Sequence, residues 1–62
     1  MTLDTIATLY RQTWKLYHLC EGTAREGEAI DAWAGITLQL QEVLVEQHSM
    51  TAEEATTFLE KQ

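Results

Sequence analysis

Two glycines interrupt the chain between two long stretches that have the apolar spacing of amphipathic helices. Gly22 and Gly27 bracket the segment Thr23–Glu26, and no proline occurs in the 62 residues. Glycine readily adopts the left-handed conformation that often ends a helix, and Thr23–Glu26 has the S/T-x-x-E order of a capping box. Because Gly27 would weaken the first turn of a helix begun at that box, the second helix is expected to start near Glu28. The chain is therefore predicted to turn back on itself within residues 22–27.

The stretch before this turn, residues 2–21, is predicted to be a helix with a wide apolar surface. Successive residues of a helix are rotated by about 100° around its axis, so residues three and four apart share a face. Leu9 and Leu16 widen the apolar face, and Leu19 lies further round the helix. Because one neighbouring helix cannot cover so wide an arc, we expect this helix to contact two neighbours. The residues of the central face are Leu3, Ile6, Ala7, Tyr10, Thr13, Trp14, Tyr17 and Cys20.

Two more helices are predicted after the turn, over residues 28–48 and 52–60. Thr51–Glu54 has the form of a capping box, with Met50 placed to pack on Ala55 as a hydrophobic staple. The last helix is too short to be stable alone, so it must dock on the rest of the chain or on a partner. Antiparallel pairing of the first two helices would place Trp14 level with Trp33. The core face of the second helix comprises Ala29, Ile30, Trp33, Ile36, Thr37, Leu40, Val43 and Leu44.

The length of the chain favours association with a partner. A domain of about 60 residues buries only about 60% of its unfolded surface and is marginally stable alone. Cys20 is the only cysteine, so no disulfide can form within the chain. We therefore predict one all-α domain, an antiparallel helical hairpin with a short C-terminal third helix, which pairs with a second copy as a homodimeric four-helix bundle.

Several apolar residues fall outside the predicted core and are candidates for contacts with a partner. Leu38 and Val45 lie seven residues apart on the side of the second helix away from its core face. Scattered apolar side chains are common on protein surfaces, whereas a coherent patch marks an interaction site. The aromatic side chains serve either as core or as interface anchors. The predicted partner-binding residues are Leu9, Tyr10, Trp14, Leu16, Tyr17, Leu19, Leu38 and Val45.

Acidic side chains predominate after the turn. The formal net charge is −6, and the acidic and basic residues of positions 1–21 cancel one another. A surface of this sign repels nucleic-acid phosphates, so no direct nucleic-acid partner is expected. The carboxylates of the second helix form either a solvated face, a docking strip for a basic protein, or a mimic of the DNA backbone. This acidic stripe consists of Glu28, Asp31, Glu42 and Glu46.

The residues that carry catalytic or metal chemistry in other proteins do not combine into a site here. His18, Cys20 and His48 lack the spacing of known metal-ligand motifs. No nucleophile–base set and no glycine-rich phosphate loop is present, so neither an enzyme nor a cofactor is predicted. No apolar run approaches the roughly 20 residues of a membrane span. A lone cysteine without an export signal indicates the cytoplasm.

The sequence thus predicts a small non-enzymatic protein–protein interaction module. We expect a regulator or inhibitor that binds a larger protein target through apolar helix faces. Two alternatives remain open from the sequence. One is an acidic decoy of nucleic acid, which would bind a DNA- or RNA-binding protein. The other is a structural subunit of a larger assembly.

Overall fold

A computed structural model, which describes all 62 residues, contains three α-helices and no strand. Helix α1 covers Leu3–Leu19, α2 covers Glu26–Gln47 and α3 covers Ala52–Glu60. Helix α1 packs against α2, and α2 packs against α3. The molecule is elongated, measuring 38 Å by 17 Å by 17 Å. The predicted all-α fold with a short third helix is confirmed.

Helix α1 begins and ends through local hydrogen bonds. The Thr2 hydroxyl accepts a hydrogen bond from the Thr5 amide at 3.1 Å, which satisfies one of the free amides of the first turn. At the other end, the Cys20 amide donates to the carbonyls of Leu16 and Tyr17, which tightens the last turn. Gly22 has the positive φ expected of it, at 73°. The helix therefore ends two residues before the predicted boundary at 21.

The predicted capping box at Thr23 does not form, and α2 begins earlier than expected. The Thr23 hydroxyl instead donates to the Cys20 carbonyl at 2.6 Å. The Glu26 carboxylate turns back and accepts the Gly22 amide at 2.6 Å. A carboxylate in the first turn is stabilised by the helix dipole, which offsets the cost of Gly27 within that turn. The prediction that α2 starts near Glu28 was wrong by two residues for this reason.

The connection between α2 and α3 is short and well bonded. The amides of His48 and Met50 both donate to the Leu44 carbonyl, at 3.1 and 3.3 Å. Ser49 between them has a φ of 55°, in the left-handed region. Both hydrogen bonds of the predicted capping box at Thr51 and Glu54 are present. These bonds turn the chain so that α3 folds back onto α2.

All three helices contribute to a small core. Ile6, Leu44 and Leu59 are its largest fully buried side chains. The Met1 amine donates to the Gln47 side chain at 2.8 Å, and the His48 ring lies 2.7 Å from the Met1 carbonyl oxygen. These contacts hold the start of α1 beside the end of α2. The seven buried residues are Ile6, Ala7, Tyr10, Leu40, Leu44, Ala55 and Leu59.

An aromatic cluster continues the packing of α1 on α2 toward the turn. The Trp33 ring lies 5.7 Å from that of Trp14, 5.9 Å from that of Tyr17 and 6.4 Å from that of Tyr10. Such pairs are worth about 0.5–1.5 kcal/mol beyond their buried area. The prediction that Trp14 and Trp33 lie opposite each other on the two helices agrees with the contact between their rings. The cluster thus extends the contact between the two helices from Tyr10, which packs beside α3, toward the turn.

Helix α3 is too short to cover the whole of α2. At 1.5 Å per residue, its nine residues span about 14 Å, whereas the 22 residues of α2 span about 33 Å. Gln41 donates to the Thr56 hydroxyl at 3.0 Å, and Arg11 donates to the Gln62 side chain at 3.2 Å. Helix α3 therefore covers one side of the α1–α2 pair, and only its half next to the chain termini.

The two positive φ angles predict opposite effects of substitution. Replacing Ser49 by glycine should raise the free energy of unfolding by about 0.5 kcal/mol, because glycine adopts the left-handed region without steric cost. Gly22→Ala should lower it by about 1 kcal/mol through the backbone alone, since no atom lies within 4 Å of the added Cβ. Urea denaturation at one fixed chain concentration measures both. A loss of stability in Ser49→Gly would contradict this account.

An unpaired buried hydroxyl predicts a stabilising substitution. The Thr37 hydroxyl is buried and has no hydrogen-bond partner in the chain. Thr37→Val removes this group at nearly constant volume and should raise the free energy of unfolding by about 1 kcal/mol. Thr56→Val is the matched control, because the Thr56 hydroxyl bonds to Gln41 and to the Ala52 carbonyl. The control should lose stability, and equal changes in the two variants would refute the explanation.

Candidate protein-interaction surfaces

An apolar groove of about 300 Å³ lies between α1 and α2. Leu16 is the most exposed of its large apolar side chains, at 63%, and Ile36 is exposed at 37%. Arg25 and Glu28 lie at its turn end, and Leu9, seven residues before Leu16, extends the same face of α1. We call this surface the open groove. Its other lining residues are Thr13, Tyr17, Cys20, Ala29, Ala32 and Trp33.

The open groove faces away from α3. On α1, Leu16 is rotated by about 140° from Arg11, which contacts the end of α3. On α2, Ile36 is rotated by the same angle of about 140° from Gln41, which contacts the middle of α3. The α1–α2 pair thus has one side that α3 covers in part and another side that no element of the chain covers.

A second apolar surface lies on α1 near the turn. Leu19 is the most exposed large apolar residue of the chain, at 76%, and borders a shallow depression with Trp14, Lys15 and His18. The Trp14 ring lies 4.2 Å from the His18 ring, and His18 Nδ1 lies 2.7 Å from a Glu21 carboxylate oxygen. These contacts fix the orientation of Trp14 at the surface. We call Trp14, His18 and Leu19 the turn-side patch.

A third apolar surface lies where α2 meets the start of α3. Leu38 is exposed at 57%, and together with Val45 and Ala52 it lines a depression of about 200 Å³. Glu42 and Glu46 border the same depression. Leu38 and Val45 therefore lie on the same exposed side of α2, about 11 Å apart along the helix axis, as their spacing predicted. An acidic border beside an apolar centre is the arrangement of an interface rim around its core.

Tyr10 differs from the other predicted partner-binding residues. Its ring is buried in the core, so it offers a partner little surface, and Tyr17 is half-buried. Burial, and secondly the nearby Glu60 carboxylate, raise the pKa of Tyr10 above its ordinary value of 10.0. The remaining predicted residues are exposed, namely Leu9, Trp14, Leu16, Leu19, Leu38 and Val45.

Two isoleucines of α2 that helical periodicity assigned to the core face are exposed. Ile30 and Ile36 are both exposed by more than a third. Around the helix axis, Leu40 and Leu44 point in nearly the same direction, toward the core. Ile30 and Ile36 each point more than 50° away from that direction, on opposite sides of it. That angular offset was the available signal, because residues at the edges of a wide apolar arc are buried only if a further element covers them.

The acidic stripe is exposed along α2 but is not continuous. All of its four carboxylates lie at the surface. Asp31 and Glu42 are separated by 11 residues, or about 17 Å, and only uncharged residues lie between them. Arg25 approaches Glu28 at 3.6 Å and partly neutralises one end. The stripe is thus two acidic pairs at the two ends of α2.

The chain shows no cluster of metal-binding side chains. His48 contacts the Met1 carbonyl and His18 contacts Glu21, so neither approaches the other or Cys20 as a set of ligands. No group of three or more His, Cys, Asp or Glu side chains is placed to hold a metal ion. None of the helices is both long and apolar enough to span a membrane.

Comparison of the chain with known protein families, with curated proteins and with solved structures finds no match. Its function therefore has to be inferred from the three apolar surfaces and from the distribution of charge around them.

The environment of Tyr10 predicts a loss of stability at high pH. Since the folded chain keeps the Tyr10 proton to a higher pH than the unfolded chain, the free energy of unfolding should fall as the pH rises above about 10. Urea denaturation at several pH values from about 9 to 11 measures this fall. Tyr10→Phe should flatten it, whereas the control Tyr17→Phe keeps Tyr10 and should retain it. An unchanged slope in Tyr10→Phe would contradict the assignment.

Proposed function

We propose that this protein is a non-enzymatic interaction module, a regulator or inhibitor that binds a larger protein through its exposed apolar helix faces. In this proposal α1 and α2 form an antiparallel hairpin, and the chain acts as a homodimer with a bundle-like core. The observation that carries the proposal is the short reach of α3, which leaves apolar side chains uncovered on both sides of the α1–α2 pair.

The small core supports the need for a partner. Only seven of 62 residues are buried, and ten large apolar side chains are exposed by more than a third. The accessible surface of 4395 Å² exceeds the roughly 4,100 Å² typical of a compact monomer of this mass. A coherent excess of exposed apolar surface is the usual mark of a protein–protein contact.

The turn-side patch and the Leu38–Val45 depression are the proposed contacts with the larger protein. Each has a strongly exposed leucine that lines one depression with a second apolar side chain, Trp14 in the first and Val45 in the second. Tryptophan is among the residues that contribute most energy to protein interfaces. A compact chain of this size acts most simply by occupying a surface of its target.

The acidic-decoy alternative receives less support from the structure. A mimic of the DNA backbone needs negative charges along its whole length, because duplex DNA carries one about every 1.7 Å of axis. The roughly 17 Å without charge between Asp31 and Glu42 interrupts the stripe. The acidic pairs fit better as the polar rims of apolar contacts.

Charge insertion into the apolar surfaces tests the proposal. The tagged chain is used to capture a target, which is identified, purified and measured against variants by calorimetry. Leu19→Lys and Leu38→Lys should each weaken binding at least tenfold, because each places a charge in an apolar contact. Thr57→Lys adds the same charge at an exposed site of α3 and should change binding less than twofold.

The same experiment separates the alternatives. A target that is lost on Asp31→Lys with Glu42→Lys, and whose affinity falls steeply with salt, would replace the proposal with the decoy. An isolated chain without helical structure, seen by circular dichroism, would favour a structural subunit that folds only within its assembly. A target that binds all of these variants equally would contradict both the regulator and the decoy.

A further inference from the structure

We propose that the Leu38–Val45 depression binds a basic amphipathic helix of the larger protein. The apolar side of that helix lies on Leu38 and Val45, and its lysine or arginine side chains pair with Glu42 and Glu46. This inference rests on the proposed function in that a larger protein is the partner, and it names the chemistry that the partner presents at this surface.

The border of the depression is negative, and no cation of the chain neutralises it. Glu42 and Glu46 are both exposed and both border the depression. No lysine or arginine occurs between Arg25 and Lys61, and Lys61 borders a different depression, beside Phe58. The two ion pairs of the chain both lie before residue 29. The charge that complements this border therefore has to come from another molecule.

The two carboxylates are unfavourably placed for the free chain. Glu46 lies in the last turn of α2, where the helix dipole disfavours negative charge, and that turn contains no basic residue. Glu42 lies one turn before it, and like charges four residues apart on a helix repel each other. The start of α3 offers no compensation, because Thr51 already caps it and Glu53 and Glu54 occupy its first turn. A cationic side chain bound here relieves both interactions.

The apolar centre of the depression has α3 on one side and the carboxylates on the other. Gln41 contacts α3, and Glu42 and Glu46 are rotated from it by about 100° and 140° around the α2 axis. Leu38 points between Gln41 and Glu42. A bound segment therefore lies along α2, with its basic side chains on the flank that faces away from α3.

The spacing along α2 matches that of a second helix. Leu38 and Val45 are seven residues apart, and an amphipathic helix repeats its apolar side chains at that interval. Glu42 and Glu46 are four residues apart, so basic side chains one turn apart on the bound helix reach both. An amphipathic helix that lays its apolar face on such a surface is a common form of recognition between proteins.

The same charges make a second copy of this chain a poor occupant of the depression. Each copy has ten acidic and four basic residues, so two copies repel each other. A two-fold contact through this surface brings the two glutamates of one copy against those of the other. Contact with a different patch of a second copy does not close into a symmetric dimer. The occupant that fits is a different protein with a basic surface.

A designed peptide tests the charge complementarity. The probe is a helical peptide of about 18 residues made of leucine, alanine and lysine, with its leucines on one face and its lysines beside them. Calorimetry compares the wild type with two double variants that each change the net charge from −6 to −4. Glu42→Gln with Glu46→Gln should weaken binding by about tenfold or more, because it removes the charge at the border of the depression.

The other acidic pair of α2 is the matched control. Glu28→Gln with Asp31→Asn makes the same change in net charge at the turn end of α2 and should alter binding by less than about twofold. Equal weakening in the two double variants would show attraction to the overall charge and would overturn the proposal. Absence of peptide binding to the wild type would overturn it as well.

Exchange of single leucines tests the apolar centre. Leu38→Ser should weaken peptide binding by about tenfold, because it removes the most exposed apolar side chain of the depression. Leu19→Ser makes the same change on the turn-side patch and should leave peptide binding intact. Both positions are strongly exposed, so circular dichroism should show unchanged helicity. The opposite ranking of the two variants would place the peptide on the turn-side patch and refute the choice of surface.

The stability of the free chain gives a readout that is independent of binding. Glu46→Gln should raise the midpoint of urea denaturation while it weakens peptide binding, since the carboxylate opposes the helix dipole. A fall in the midpoint would show that Glu46 stabilises the fold and would contradict its assignment to a partner.

Two outcomes separate this inference from the proposed function. A captured target that is weakened by Leu38→Lys but unaffected by Glu42→Gln with Glu46→Gln would refute the basic helix and leave the proposed function intact. A peptide that binds the depression as expected, while the tagged chain captures no larger protein, would support the site and contradict the proposed regulator.

Discussion

The packing of α3 onto the end of the α1–α2 pair is the interaction on which the rest of the structure depends. Ala55 and Leu59 close the core around Ile6 and Leu44, and no side chain is fully buried where α3 is absent. A helix of nine residues is unstable alone, so its capping box and its burial stabilise each other. The short linker after α2 brings this helix back to the half of the pair that lies next to the termini.

The limited length of α3 accounts for the unusual surface of the molecule. Beyond its end, α1 and α2 are held together by aromatic rings that bury only part of their area, with Trp14 exposed at 42%. The Trp33 indole nitrogen is buried without a hydrogen-bond partner. The buried polar groups of this part of the chain are therefore not all hydrogen-bonded. A small domain that leaves such faces open gains stability from whatever covers them.

Charge and apolar surface are separated around α2. One side carries the open groove, whose formal charges are Arg25 and Glu28 at its turn end, while most other carboxylates lie on the outer side of α2 and on α3. This separation permits two different contacts on one short chain, one with a second copy and one with a larger protein. In contact with a larger protein, Glu42 and Glu46 would form the polar rim of the Leu38–Val45 depression.

The sequence alone determined the number of helices and much of their arrangement. Local signals were sufficient for the capping box at Thr51 and the left-handed Gly22, because such motifs depend on neighbouring residues only. The proximity of Trp14 to Trp33 followed from the position of the turn between the two helices. The start of α2 was predicted wrongly because the Glu26 carboxylate accepts a hydrogen bond from the Gly22 amide. The capping pattern in the sequence does not distinguish this bond from that of a capping box.

Only the tertiary structure decided which side chains of the wide apolar arcs are buried. Tyr10 lies in the core while Ile36 is exposed, although helical periodicity assigned both to core faces. Periodicity gives the direction in which a side chain points, whereas burial depends on whether another element covers that direction. For the same reason, the sequence did not determine the side of the α1–α2 pair on which α3 packs. That choice depends on contacts such as Gln41 with Thr56, which join residues that are distant along the chain.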